Sequence, residues 1–258
     1  MVGTLEKSYE QLGVEPPGSA IGHAEYLALL EKVQPILHTM PVRIFPTSFD
    51  PQNPHIYAFP RTHTWQWQSL ADNLRQLSAN GVLVRLPLYW QCEPLIFQAC
   101  QVSRSFFFLN EQGNMPVGRV AIRDASLDTV LTTSQDAERF LAHILEAGSA
   151  VPQKWVIVHP LASAPPVLPK GFTPALRLSM AHEVHLFPGI PLFIQCPHLS
   201  KSAHFQFHLA NGFVFDPVTS CVSGTQDDIL PLVNYRLPFH IEKRHDTCAC
   251  GSPLFLFA

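Results

Sequence analysis

The chain has 258 residues and a formal net charge of −3, from 17 basic and 20 acidic side chains. Hydrophobic residues make up 47% of it and charged residues only 14%, the opposite of the balance that keeps a chain disordered. The length is sufficient for a folded body with a substantial core, and the near-neutral charge argues against a broad nucleic-acid-binding surface.

Neither export nor membrane insertion is indicated by the chain. Residues 1–7 lead into a stretch with acidic side chains and lack the apolar region of a secretory signal. No apolar run reaches the roughly 18 residues that a membrane span needs. Six cysteines in a chain of this length are too sparse for a disulfide scaffold. We therefore expect a cytoplasmic protein without a membrane partner, although export by a signal-independent route stays open.

Three stretches repeat apolar residues with the period of an amphipathic helix. They are residues 20–34, 64–79 and 134–147. In the third, Ser134 is placed as the N-cap and Gly148 as the terminator, so this stretch has a start signal and a stop signal as well as the period.

Eight apolar or alternating runs predict strands: 42–45, 82–88, 105–109, 117–122, 155–158, 191–195, 204–209 and 213–215. Loop composition then suggests two hairpins. One joins 105–109 to 117–122, and the other joins 204–209 to 213–215 through a turn that contains Asn-Gly.

Helices early in the chain and strands late predict an α+β fold, with a largely antiparallel sheet and helices packed mainly on one side. We expect a single domain over residues 1–258. The densest proline segment, residues 160–174, is the place where a sub-division would fall, and it also fits a long surface connection.

The most distinctive passage spans residues 191–217. An apolar strand leads to His204 at the start of a second strand, and after a turn Asp216 stands just before Pro217. This pattern resembles the C-terminal half of papain-like cysteine peptidases, especially the bacterial type in which His-Phe is followed by Asp-Pro. The resemblance implies that His204 is a general base, that Asp216 orients it, and that a cysteine opening a helix farther upstream is the nucleophile.

Cys92 is the candidate for that nucleophile. It follows the predicted strand 82–88 and precedes Glu93-Pro94, a pair that favours the first turn of a helix. The positive field of a helix N-terminus stabilises a thiolate. Gln91 could supply an amide to an oxyanion hole. The expected function is a cysteine-dependent hydrolase or acyltransferase that acts on a peptide, amide or ester bond, with a protein or peptide as substrate or partner.

Turn length decides whether this hairpin can be catalytic. A two-residue loop places Asp216 opposite Phe207, on the face away from His204. A three-residue loop aligns Asp216 with Gln206 and brings it to the His204 face. The catalytic interpretation requires the second register. The structural interpretation, a plain hairpin whose phenylalanines belong to the core, requires neither.

A second set of candidate residues lies near the C-terminus. Four side chains there could bind zinc: His240, His245, Cys248 and Cys250. The two histidines have a usual spacing for a chelating pair, while Cys-x-Cys is tighter than the usual knuckle. Cys196 and His198 are alternative contributors, and an exposed tail with two thiols is the simpler interpretation. The competing functional hypothesis is a non-catalytic interaction protein with a structural zinc.

No other cofactor is expected from the sequence. It contains neither Gly-x-Gly-x-x-Gly nor a Walker A motif, the two Gly-rich patterns that most often mark phosphate-binding loops.

Overall fold

The structure is a computed structural model in which three helices are described from end to end: α1 (His23–Leu37), α2 (Met115–Asp124) and α3 (Ser134–Glu146). The described residues are 9–37, 39, 42–46, 56–60, 75, 81–86, 103–109, 115–160, 181–187, 190–195, 206–224 and 232–257.

Fourteen strands accompany the helices within these residues. The first seven in chain order are β1 (Val42–Pro46), β2 (Ile56–Pro60), β3 (Gly81–Arg85), β4 (Ser105–Phe108), β5 (Thr129–Thr133), β6 (Lys154–Pro160) and β7 (Ala181–Phe187). Seven follow: β8 (Ile190–Ile194), β9 (Gln206–Leu209), β10 (Phe213–Asp216), β11 (Cys221–Gly224), β12 (Tyr235–Arg236), β13 (Ile241–Thr247) and β14 (Pro253–Phe257).

The strands form three sheets. The largest has nine strands in the order β13-β14-β9-β8-β7-β6-β5-β3-β4, and the smaller ones are β1-β2 and β10-β11-β12. Seven of the eleven strand pairs in the described residues are antiparallel, which confirms the predicted α+β class with a largely antiparallel sheet. The four parallel pairs are consecutive and unite β4, β3, β5, β6 and β7.

The parallel strands are buried because both of their faces are covered. All five residues of β3 and all five of β5 are buried, as is typical of parallel strands between two layers. On one face, Leu83, Val130 and Trp155 pack with α2 and α3. On the other face, alternate residues of the same strands join a larger core that includes α1. Two of the three described helices thus lie on one side.

The predicted strand 117–122 is wrong, and with it the first predicted hairpin. These residues belong to α2, whose buried positions are Gly118, Ala121 and Ile122. That spacing, i, i+3 and i+4, is one face of a helix. The valines that suggested a strand, Val117 and Val120, are the exposed positions of this helix.

The second predicted hairpin is also wrong, although its turn is confirmed. Gly212 has φ +87° and the Phe213 N–H donates to the Ala210 carbonyl at 3.3 Å, so the chain does turn there. However, β9 pairs with β8 and β14, whereas β10 pairs with β11 in a separate sheet.

The helical periods are confirmed where the structure describes them. Residues 20–34 correspond to α1, which continues through Pro35. Residues 134–147 correspond to α3, whose N-cap is Thr133 rather than the predicted Ser134. Of the stretch 64–79 only Arg75 is described, and residues 161–174 of the proline-rich segment lie outside the described residues. No helix in the described part of the chain has both the length and the apolar character to cross a bilayer.

Asp128 connects the amino-terminal ends of three parallel strands. Its carboxylate accepts hydrogen bonds from the Gly81 N–H at 3.1 Å, the Thr129 hydroxyl at 2.9 Å and the Lys154 ammonium at 3.0 Å. Burial acts to raise the pKa of Asp128, but these three hydrogen bonds and the lysine charge outweigh it and lower the pKa. The carboxylate is therefore the favoured form in the folded protein.

Asp128→Asn is expected to lower the free energy of unfolding at pH 7 by about 1–2 kcal/mol, because it removes the charge from these hydrogen bonds. Since the folded-state pKa lies below the unfolded value of about 3.9, this stabilisation is complete at neutral pH and declines as the pH falls below about 4. Urea unfolding at several pH values measures the difference. The matched control is Asp124→Asn in an exposed ion pair; a deficit independent of pH would contradict the assignment.

Candidate functional site

Buried polar side chains are concentrated at one edge of the parallel sheet. Six polar or charged residues are buried in the described part of the chain, and all but Thr129 lie where parallel strands end or in the first turn of α3. These five are Arg85, Thr132, Thr133, Asp136 and His159. Buried polar groups are uncommon and need partners, so their concentration at one edge makes this edge a candidate functional site.

Strand register explains why three of them lie on the same face of the sheet. Arg85 is aligned with Thr132 on the neighbouring strand, and Thr133 is aligned with Val158, the residue before His159. Residues two apart on a strand share a face. Each of the three polar residues follows, two positions later, a residue that packs against α2 and α3. The pairs are Leu83 and Arg85, Val130 and Thr132, and Ile157 and His159. The three polar side chains therefore lie on the α3 side of the sheet.

A buried ion pair joins this edge to α3. The Arg85 Nη2 donates to Asp136 Oδ1 at 3.1 Å, and Arg85 Nε contacts the other carboxylate oxygen. The Thr132 hydroxyl donates to the same carboxylate at 3.4 Å, and the Arg85 guanidinium carbon lies 5.7 Å from the centre of the Phe140 ring. Burial raises the pKa of Asp136, while Arg85 and Thr132 oppose that rise. Arg85 thus keeps the Asp136 carboxylate oriented beside the start of the helix.

The start of α3 is a capped helix N-terminus. Thr133 caps it by accepting a hydrogen bond from the Asp136 N–H at 3.2 Å. The first N–H groups of a helix have no acceptor inside the helix, and the helix dipole favours negative charge there. A phosphate or carboxylate is the group that such a helix end binds.

The strand order places this helix end at a topological switch point. From β3 the chain goes outward to β4, then returns to form β5 on the other side of β3. In open sheets with parallel strands, ligands bind outside the carboxyl ends of the strands where the order reverses in this way. The carboxyl ends of β3 and β5, with Arg85, Thr132, Thr133 and Asp136, form what we name the switch-point site.

The predicted catalytic residues are not assembled within the described residues. Cys92, Gln91 and His204 lie outside them. Asp216 is exposed at the end of β10, where its carboxylate accepts hydrogen bonds from the Val218 N–H at 2.9 Å and the Thr219 hydroxyl at 2.7 Å. These bonds lower the pKa of Asp216. The carboxylate stabilises its own turn.

Neither register considered for the catalytic hairpin is present. Asp216 is aligned with Cys221 in the sheet that contains β10, whereas Gln206 is aligned with Leu256 in the nine-stranded sheet. The alignment of Gln206 with Asp216 that the catalytic interpretation required does not form.

The predicted zinc ligands separate into two groups. Cys248 and Cys250 are neighbours, and His208 joins them so that the ligand atoms of the three residues all lie within 4.8 Å of one another. His240 lies beside Glu242, with 3.5 Å between Nε2 and a carboxylate oxygen, and His245 is exposed on β13. Of this cluster the sequence prediction included the two cysteines but not His208, which is 42 residues from Cys250 and shares no short-range pattern with it.

Comparison with known proteins gives a likeness of structure only. No family model and no curated protein matches the sequence. An acyl-CoA synthetase (AMP-forming)/AMP-acid ligase II-like protein from Dyadobacter fermentans superposes with a TM-score of 0.51 at 12% identity, over 88% of this chain and 62% of that one. The NpsA N-terminal subdomain from Klebsiella oxytoca, in complex with anthranilyl-AMSN, gives 0.49 at 10% identity, over 83% and 58%. This chain therefore spans less than two thirds of either structure.

The resemblance to papain-like cysteine peptidases is wrong. The chain is similar in fold to an AMP-forming acyl-CoA synthetase-like protein, with a superposition that covers 88% of the chain, and its β9 and β10 belong to different sheets. The predicted hydrolase or acyltransferase function with a thiol nucleophile depended on that resemblance, and it is wrong for the same reason. The comparisons do not support the alternative, a non-catalytic interaction protein, either.

Proposed function

We propose that this chain binds an adenosine monophosphate group, free or joined to a carboxylic acid, as the body of an AMP-forming ligase-type protein. The observation that carries the proposal is the shared fold over 88% of the chain with a protein whose name is acyl-CoA synthetase (AMP-forming). Because the chain spans 62% of that protein, the proposal concerns binding of the adenylate and not the complete ligation. A cytoplasmic location, where such a nucleotide is available, is part of the proposal.

The switch-point site is the proposed location of the adenylate phosphate. The N-terminus of α3 favours an anion, and it opens at the carboxyl ends of β3 and β5, where parallel sheets bind ligands. Arg85 neutralises the Asp136 carboxylate that would otherwise repel a phosphate from this helix end. In this account Arg85 and Asp136 are positioning residues, and the helix N–H groups are the donors to the phosphate.

A matched pair of variants at the helix cap tests this location. Thr133→Asp and Thr133→Asn both retain a side chain that is well suited to an N-cap, and they differ in charge but hardly in size. A negative charge beside the phosphate is unfavourable by several kcal/mol at short range in a partly buried site, so AMP affinity in the Asp variant should be at least about tenfold lower than in the Asn variant.

Isothermal titration with AMP measures both affinities, and thermal unfolding verifies that both variants are folded. GMP is titrated as the control for the base. Equal AMP affinities for the two folded variants would exclude the switch-point site, and failure of the unmodified protein to bind AMP or ATP would exclude the proposed function.

A further inference from the structure

The loop between β13 and β14 holds two thiols in one tight turn. The Gly251 N–H donates to the Cys248 carbonyl at 2.8 Å, and the Cys248 N–H donates to the Ser252 carbonyl at 3.0 Å. Gly251 has φ +84°, a conformation that favours glycine, so the turn is suited to the Cys-Ala-Cys-Gly sequence. Cys248 is buried, Cys250 is exposed, and neither is in a disulfide. The turn directs two sulfur donors to the same place.

His208, on β9, lies beside this turn, and a hydrogen bond to one of its ring nitrogens determines which nitrogen carries the proton. Its Nδ1 lies 2.7 Å from the Pro253 carbonyl, an oxygen that can only accept, so Nδ1 carries the proton and donates. The other nitrogen, Nε2, then has its lone pair available and lies 3.3 Å from the Cys250 sulfur. A histidine that binds a metal through one nitrogen and donates to a backbone carbonyl through the other is the usual arrangement in metal sites.

We propose that Cys248, Cys250 and His208 bind a zinc ion. Tetrahedral zinc with two thiolates and an imidazole has sulfur–nitrogen separations of about 3.5 Å, from bond lengths of about 2.3 and 2.0 Å. The observed 3.3 Å, with all three donor atoms within 4.8 Å, is compatible with this arrangement after a small adjustment. Binding displaces the two thiol protons to solvent, and a water molecule takes the fourth position.

This site is separate from the switch-point site. His208 is on β9, four strands from β5 in the nine-stranded sheet, which corresponds to roughly 19 Å. A surface cavity of about 340 Å³ lined by His208, Ser252 and Pro253 gives a metal ion access to the turn. The zinc connects the β13–β14 hairpin to β9, so its expected role is to hold the C-terminal edge of the sheet together.

Metal binding is measured on the reduced, full-length protein, first stripped with a chelator. Zinc is titrated in competition with a chromophoric chelator, and cobalt(II) is used as a probe whose thiolate charge-transfer absorption reports sulfur ligation. The unmodified protein is expected to bind one zinc ion more than Cys250→Ser or His208→Ala. Each variant should lose at least about 100-fold in affinity at this site, which exceeds the loss from a changed outer-shell partner.

The control variants are His245→Ala, which removes a histidine that spacing had favoured, and Cys221→Ser, which removes a thiol outside the cluster. Both should keep the full zinc stoichiometry and the cobalt spectrum. The proposal is overturned if Cys250→Ser and His208→Ala bind as much zinc as the unmodified protein. It is also overturned if the reduced, unmodified protein binds no zinc in the presence of excess zinc, so that the contact between Cys250 and His208 is only a hydrogen bond.

Discussion

Replacing Asp136 by alanine is expected to lower the free energy of unfolding by about 3–5 kcal/mol, the effect of breaking a buried ion pair by removing one partner. The Arg85 and Asp136 side chains are only 2% and 8% exposed, so the guanidinium would keep its charge without its carboxylate in a site that excludes water. The variant also removes the acceptor for the Thr132 hydroxyl. Urea unfolding followed by circular dichroism measures the loss.

The double variant Arg85→Met/Asp136→Leu removes the ion pair without leaving an unpaired buried charge. It therefore separates the loss of the ion pair from the cost of the unpaired charge. Replacing a buried ion pair by apolar residues of similar size is often neutral, so the double variant should be more stable than Asp136→Ala. If Asp136→Ala were as stable as the unmodified protein, or the double variant less stable than Asp136→Ala, the ion pair would not hold β3 to α3 in the way described.

Trp155→Ala is expected to lower the free energy of unfolding by about 3–5 kcal/mol, as large-to-small substitutions of buried aromatic residues do. Trp155 is fully buried on β6, packs edge-to-face on Phe140 of α3 with 6.2 Å between ring centres, and donates from its indole nitrogen to the Pro152 carbonyl at 3.2 Å. The substitution would leave a cavity between the parallel strands and α3.

Two further variants calibrate this measurement. Trp155→Phe keeps most of the apolar volume and should cost less than Trp155→Ala. Val120→Ala, at an exposed position of α2, should change the free energy of unfolding by less than about 0.5 kcal/mol. Equal losses for Trp155→Ala and Val120→Ala would show that the core between the sheet and α3 is not packed as the structure has it.

Local patterns sufficed for part of the fold. The period of residues 134–147 predicted α3, and the apolar runs at 155–158 and 191–195 predicted β6 and β8, because these signals are contained within each segment. The strand prediction failed at residues 117–122, where β-branched residues favoured a strand although the residues that are buried have helical spacing. Glycine at position 118 permits this helix to pack closely, because a Cβ there would lie 2.8 Å from Leu109 and 3.0 Å from Phe140.

The candidate sites depend on contacts that no local pattern contains. Arg85 and Asp136 are 51 residues apart, and they meet because β3 and β5 are neighbours in the sheet. His208 reaches Cys250 because β9 pairs with β14. The parallel strand order that creates the switch point follows from crossovers between strands, which hydrophobic alternation does not encode. Only the proximity of Cys248 and Cys250 to each other could be predicted, because the turn that brings them together is local.

Hydrogen–deuterium exchange with and without AMP is the most direct test of the proposed adenylate binding. The proposal predicts that AMP slows amide exchange at the start of α3 and at the carboxyl ends of β3 and β5, with little change at β9 and β14. Unchanged exchange at the α3 N-terminus under saturating AMP, or protection confined to β9 and β14, would contradict it.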